Sequence, residues 1–321
     1  MFPQSWRGEG QHAPCIEAFY GLTERPFSIL PDPAFLHLGR RHALAYSMLE
    51  YGIAHGAGFT VITGGVGCGK TILIQHLLDN LGEGITVGLI SNTCKEIGDL
   101  LKWVLLSFGQ PYDVDDKVAL FDRLQRFLID QYGRGQRTVL IIDEAQNLDG
   151  GTLEELRMLS NINSGKDQLL NLVLVGQPQL KALLRQPELE QFVQRVSSDF
   201  HVTPLERDEV AEYIRYRLKV AGREEPLFEE NAEFAIFKAS GGVPRRINIL
   251  CDTALVYGFS RESERISTRI VLEMLRDKAK YGVFDPVGEG SSLLTSESPD
   301  PDDRAVPCPV DPGQTPQLRR K

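Results

Sequence analysis

The chain has 321 residues, 42% of them apolar and 25% charged, the composition of an ordinary globular protein with room for two packed domains. Its 44 acids against 35 lysines and arginines leave a formal net charge of −9, which disfavours a broad nonspecific grip on nucleic acid or anionic lipid while leaving room for a local basic patch. Five scattered cysteines (Cys15, Cys68, Cys94, Cys251, Cys308) form no CxxC pair, which argues against a disulfide framework or a zinc site and fits a reducing compartment.

Residues 1–15 are polar, show no period and lack the apolar core of a signal peptide, so a flexible leader is expected. In "FYGLTERPFSILPDPAFL", Pro26, Pro31 and Pro33 argue against a helix, while Phe19, Phe27, Leu30 and Phe35 offer apolar anchors; the stretch reads as an extended strap against a domain. From Gly39 to His55 the pattern is helical, with Leu44, Met48, Leu49 and Ile53 near one face.

Five β-like runs follow: "FTVIT" (59–63), "ITVGLIS" (85–91), "VLIID" (139–143), "NLVLVG" (171–176) and "FHVTPL" (200–205). Strands that alternate with helical segments or long connections imply a parallel sheet covered on both faces. After Pro204 the strand signals stop, and four helical patterns run to about Tyr281: "RDEVAEYIRYRLKVAG", "EENAEFAIFKASGG", "PRRINILCDTALVYGF" and "TRIVLEMLRDKAKYG". The longest uncharged run, Gly52 to Gly69, is broken by glycines and His55, so no membrane span is expected. From Gly282 onward, seven prolines in 40 residues with many serines and acids predict a disordered tail. The expected division is a leader (1–15), a P-loop core (16–204), a helical lid (205–281) and a tail (282–321).

"GGVGCGKT" lies between the first strand signal and a helical pattern, and matches GxxxxGK[ST] at Gly64, Gly69, Lys70 and Thr71. Glycines at this spacing let backbone N–H groups converge on phosphate oxygens at a helix N-terminus, where the dipole favours an anion. Residues Gly64, Gly65, Val66, Gly67, Cys68, Gly69, Lys70 and Thr71 are therefore the expected cradle for ATP. Lys70 is expected to reach the β and γ phosphates and Thr71 to ligate Mg2+. Hydrolysis needs more, and "TVLIIDEAQNL" supplies it: Asp143 as a magnesium-shell carboxylate and Glu144 as the group that polarises the attacking water. Four apolar residues put the acids at the end of a buried strand, where adjacent side chains point to opposite sides, so the two acids are expected to do different jobs. The six histidines show no HExxH spacing, and magnesium is the only metal expected.

These motifs, with "FYGLTERPFSILPDP" ahead of them and "LVGQPQL", "QRV" and "GGVPRRIN" after them, resemble the ExeA/GspA-type secretion ATPases of the AAA+ superfamily over residues 17–281. The resemblance implies an α/β P-loop NTPase, a parallel sheet flanked by helices and followed by a small all-helical lid. It implies a polar sensor at Gln177, an arginine finger at Arg195 reaching a neighbouring subunit's nucleotide, and a sensor 2 arginine at Arg245, with Arg246 as the competing candidate. It implies a homo-oligomeric ring, with a hexamer as the family expectation. Secretion-type members carry a further transmembrane helix and a peptidoglycan-binding segment. Here a short Pro-rich tail follows, so the expected partner is a secretion or exopolysaccharide export machinery of the PEP-CTERM-associated kind at the inner membrane. The expected location is cytoplasmic, with a peripheral membrane position as the variant. A DNA-bound transposition-type regulator ATPase shares the "GxPRxIN" logic and is the alternative, disfavoured by mixed charge and the lack of a basic stripe. A nucleotide switch with little turnover ranks below an active ATPase.

Overall fold

The computed structural model describes residues 16–56, 58–91 and 99–282. The expected leader, nearly all of the expected tail, and Cys15, Cys94 and Cys308 lie outside the described residues. The strands are β1 (Phe59–Gly64), β2 (Ile85–Ile90), β3 (Arg137–Ile142), a two-residue hairpin of β4 (Asn163–Ser164) and β5 (Asp167–Gln168), β6 (Leu170–Gly176) and β7 (Val196–Val202). Five of them form one parallel sheet in the order β2-β3-β6-β1-β7. The expected strand at 200–205 is shifted: β7 starts at Val196 and ends at Val202, and Pro204, which has no N–H to give, lies beyond it.

Both faces of the sheet are covered, which is why β3 and β6 read as near-continuous apolar runs. On one face α2 (Arg40–Ala54) and α3 (Lys70–Asn80) pack Ala45, Leu49, Ile53, Leu73 and Leu77 against Ile62, Val139, Ile141, Val173 and Val175. On the other, Leu140, Ile142, Leu172 and Leu174 meet α4 (Leu100–Ser107), α5 (Lys117–Gly133), α6 (Gly150–Leu159), α7 (Pro178–Leu184) and the short α8 (Glu190–Val193). Alternate residues of each strand thus serve different cores. Leu44, expected on the packed face of α2, is exposed; His42, Ala45, Leu49, Gly52 and Ile53 are the buried positions.

The chain then leaves the sheet for α9 (Arg207–Val220), α10 (Glu230–Ser240), α11 (Pro244–Ser260) and α12 (Thr268–Tyr281), which share a third core. The N-terminal strap belongs to that core: Tyr20, Leu22, Phe27 and Phe35 pack among these helices, not under the sheet. The division at 204/205 therefore cuts across a packing unit that includes residues 20–35. Helical turns lie at the start of the strap and inside it, despite its prolines. A helical turn, α1 (Ile16–Phe19), precedes the first proline, and a 3-10 turn (Pro33–Phe35) opens with proline at its first position, where the missing N–H costs nothing. Two expected anchors, Phe19 and Leu30, are exposed.

Candidate functional site

Parallel strands deliver their C-terminal ends to one edge of the sheet, and the loops after β1, β3 and β6 meet there. The loop after β1 turns through Gly67 (φ +77°) and Gly69 (φ +89°), left-handed backbone that glycine adopts at no steric cost. Gly67 has a second reason to lack a side chain: a Cβ there would lie 2.8 Å from the Cβ of Arg245. Lys70 opens α3 and is buried, with its ammonium donating to the carbonyls of Gly64 (2.9 Å) and Gly65 (3.0 Å). An ammonium has three hydrogens, so this placement is compatible with a phosphate oxygen as a further acceptor.

One residue on, the Thr71 hydroxyl donates to Asp143 Oδ2 at 3.2 Å. This pairing of hydroxyl and carboxylate across the loop fits a hard divalent cation such as Mg2+, which takes oxygen ligands and keeps several waters. Burial pushes the Asp143 carboxyl above the usual carboxylate range, against the opposing effects of the Glu144 N–H and the Thr71 hydroxyl. A carboxyl raised on folding binds its proton more tightly folded than unfolded, so its contribution to stability is full below the unfolded pKa and is lost as pH rises through the folded one. Asp143→Asn should therefore melt above the parent chain at about pH 7 in the absence of magnesium, with the gap narrowing toward about pH 4. A melting temperature below the parent's at neutral pH would contradict this.

The two acids are not arranged by strand alternation. β3 ends at Ile142, and Glu144 sits in left-handed backbone (φ +54°), an uncommon conformation for a non-glycine residue. That turn leaves Asp143 on Thr71 and brings Glu144 to the cleft, where its Oε2 accepts from Gln146 Nε2 (2.6 Å) and Gln177 Nε2 (3.1 Å). Gln146 also accepts the Gln177 N–H at 2.8 Å, so Gln177, the expected sensor, and Glu144 share one amide. The sequence pattern gives Gln146 no role; the fold reveals that it bridges two loops.

The cleft over the phosphate loop has a volume of about 420 Å3 and is closed by the strap (Ser28, Ile29, Leu30, Pro31) and the helical lid (Tyr213, Arg217, Pro244, Arg245, Asn248). A hydrogen-bond chain holds strap to lid: Asn248 donates to the Ser28 carbonyl (3.1 Å) and accepts from the Tyr213 hydroxyl (2.8 Å), while Arg217 donates to Tyr213 (2.7 Å) and to the Pro26 carbonyl (2.5 Å). Composition alone gave no signal for Tyr213 or Arg217, whereas Asn248 is the last residue of the "GVPRRIN" motif. Arg245 lies at the start of α11, where its N–H donates to the Gly67 carbonyl at 3.2 Å. It, and not Arg246, is among the residues lining the cleft.

Arg195 is elsewhere. It precedes β7, whose first residue pairs with Phe59 and whose last pairs with Gly64, so Arg195 sits at the edge of the sheet opposite the phosphate loop. Six residues of strand separate the two edges, about 20 Å. Its guanidinium donates to Ser160 Oγ at 3.2 Å. It therefore does not belong to the same chain's cleft.

Residues 53–184 match the family model described as AAA domain. Over 249 residues, 77% of this chain, the sequence is 42% identical to general secretion pathway protein A of Aeromonas hydrophila, and the chain spans 46% of that relative's length. Solved structures of similar fold include the Aeropyrum pernix ORC2 protein in its ADPNP–ADP complexes (TM-score 0.59, 17% identity, 79% of this chain and 71% of that one). Another is the Drosophila ORC bound to DNA (TM-score 0.58, 15% identity, 87% and 72%). At these identities the likeness is one of fold.

Proposed function

We propose, from the premise that the chain is an AAA-domain protein of the general secretion pathway protein A type, that it binds ATP with magnesium, hydrolyses it, and couples the turnover to a membrane secretion or export assembly. One observation carries the nucleotide reading: Lys70, Thr71, Asp143 and Glu144 converge at the mouth of a glycine loop that opens a helix. Triphosphate oxygens would lie on the loop N–H groups and Lys70, with base and sugar in the cleft between Ile29, Leu30 and Pro244. Thr71 and Asp143 would hold magnesium, which neutralises phosphate charge when bound. Glu144 accepts a proton or hydrogen bond from water, kept in place by Gln146 and Gln177. Arg245, fixed to Gly67, lets the lid respond to the terminal phosphate.

The position of Arg195 supports a ring in which each protomer completes its neighbour's site, because the same chain's phosphate loop is out of reach. The working unit would span residues 16–281, sheet core and lid together. Among the described residues no helix is long and apolar enough to cross a membrane. The decisive assay is phosphate release from ATP by the purified chain with and without magnesium. Magnesium-dependent release supports the proposal, and none under any magnesium concentration would leave at most a nucleotide switch.

A further inference from the structure

His42 takes no part in the chemistry above, yet its side chain is hydrogen-bonded to the phosphate loop. The side chain is 3% exposed in the first turn of α2, and Nε2 lies 2.8 Å from the carbonyl oxygen of Cys68. A carbonyl only accepts, so the proton sits on Nε2. Nδ1 has no hydrogen-bond partner among the described residues. The C=O of Cys68 and the N–H of Gly69 belong to one planar trans peptide and so point in opposite directions. Drawing the carbonyl outward onto His42 turns the Gly69 N–H inward. At φ +89°, Gly69 has no side chain to limit rotation of that peptide, so an external donor is needed to fix it.

We infer that His42 is a positioning residue for the phosphate cradle, pinning the Cys68–Gly69 peptide so that its N–H faces the bound phosphates. This rests on the nucleotide reading above. The pin is itself anchored in the lid. The buried carboxylate of Glu209, in the first turn of α9, accepts the Arg40 N–H that opens α2 (2.8 Å) and also the Glu206 N–H (2.9 Å). Burial works to raise the Glu209 carboxyl, but the N–H bonds from Glu206 and Arg40 outweigh it and hold the group below its usual range. Gly39 permits the approach, since a Cβ there would stand 2.8 Å from Leu205 Cδ2 and 3.1 Å from Glu209 Oε1. The lid thus reaches the cradle by two routes, Arg245 on Gly67 and Glu209 through α2 to His42.

The test compares His42→Gln, whose amide nitrogen reaches the place of Nε2, with His42→Asn, one methylene short, and His42→Leu, which fills space without a donor. ADP affinity with magnesium is measured by calorimetry, and folding by thermal melting. The expected result is affinity within about threefold of the parent for Gln and about tenfold weaker for Asn and Leu, with all three folded. Parent-like affinity in the Asn variant, or equal loss in the Gln and Asn variants, would overturn the inference; the amide pair decides even if the Leu variant unfolds. A parent chain with no affinity for ADP would overturn the nucleotide reading, and this inference with it.

Discussion

Glu144→Gln should bind ATP and magnesium as tightly as the parent chain and turn it over about 10²–10⁴-fold more slowly. The carboxylate is held in left-handed backbone by two amides, from Gln146 at 2.6 Å and Gln177 at 3.1 Å. Such an arrangement orients an acceptor without neutralising it. Glutamine keeps the shape and loses the charge proposed to activate water, while the groups proposed to grip phosphate are untouched. Binding by calorimetry and single-turnover phosphate release together check this. A variant that hydrolyses within about threefold of the parent would place the water-activating group elsewhere.

Arg195→Ala should lower turnover about 10³-fold with ATP affinity nearly unchanged, because a cation stabilising charge on the transferring phosphoryl group acts mainly in the transition state. The sheet register gives the expectation its sharper form. Since Arg195 lies at the edge opposite its own phosphate loop, the proposed ring predicts that the deficit is repairable in trans. Mixing inactive Arg195→Ala with inactive Lys70→Ala should restore activity, because about a quarter of the interfaces in an equal random mixture pair an intact loop with an intact arginine. Mixtures as inactive as their components, in preparations shown to co-assemble, would remove the trans role.

Much of the fold was legible because the chain obeys simple periods. Apolar runs such as "VLII" and "LVLV" have to be buried on both faces, and the four late helices begin and end within a few residues of their sequence signals. Misreadings came where local rules met long-range packing. Leu44 fits the helical stripe, but the face of α2 that meets the sheet and the phosphate loop is set by His42, Ala45 and Leu49. The strap's apolar anchors predict packing against a domain without saying which, and Phe27 and Phe35 pack among helices that begin some 170 residues later.

The site divides in the same way. Residues held by local geometry, the glycine loop with Lys70 and Thr71, follow from spacing alone. Gln146, Tyr213, Arg217 and His42 owe their places to neighbours distant in sequence, and a polar side chain gives no sign in one dimension of which loop it will tie down. The Asp143–Glu144 pair shows the limit most clearly: the motif points to both acids, but their separation comes from a left-handed turn that strand alternation does not describe.

The account stands or falls on whether the loop from Gly64 to Thr71 holds a nucleotide through Lys70. The direct measurement is calorimetric titration of the purified chain with ATP and magnesium, beside Lys70→Ala. The prediction is saturable one-site binding by the parent, and at least about a hundredfold weaker binding when the buried ammonium is removed from a desolvated phosphate contact. Equal affinity in the two proteins, or no binding by the parent, would contradict it.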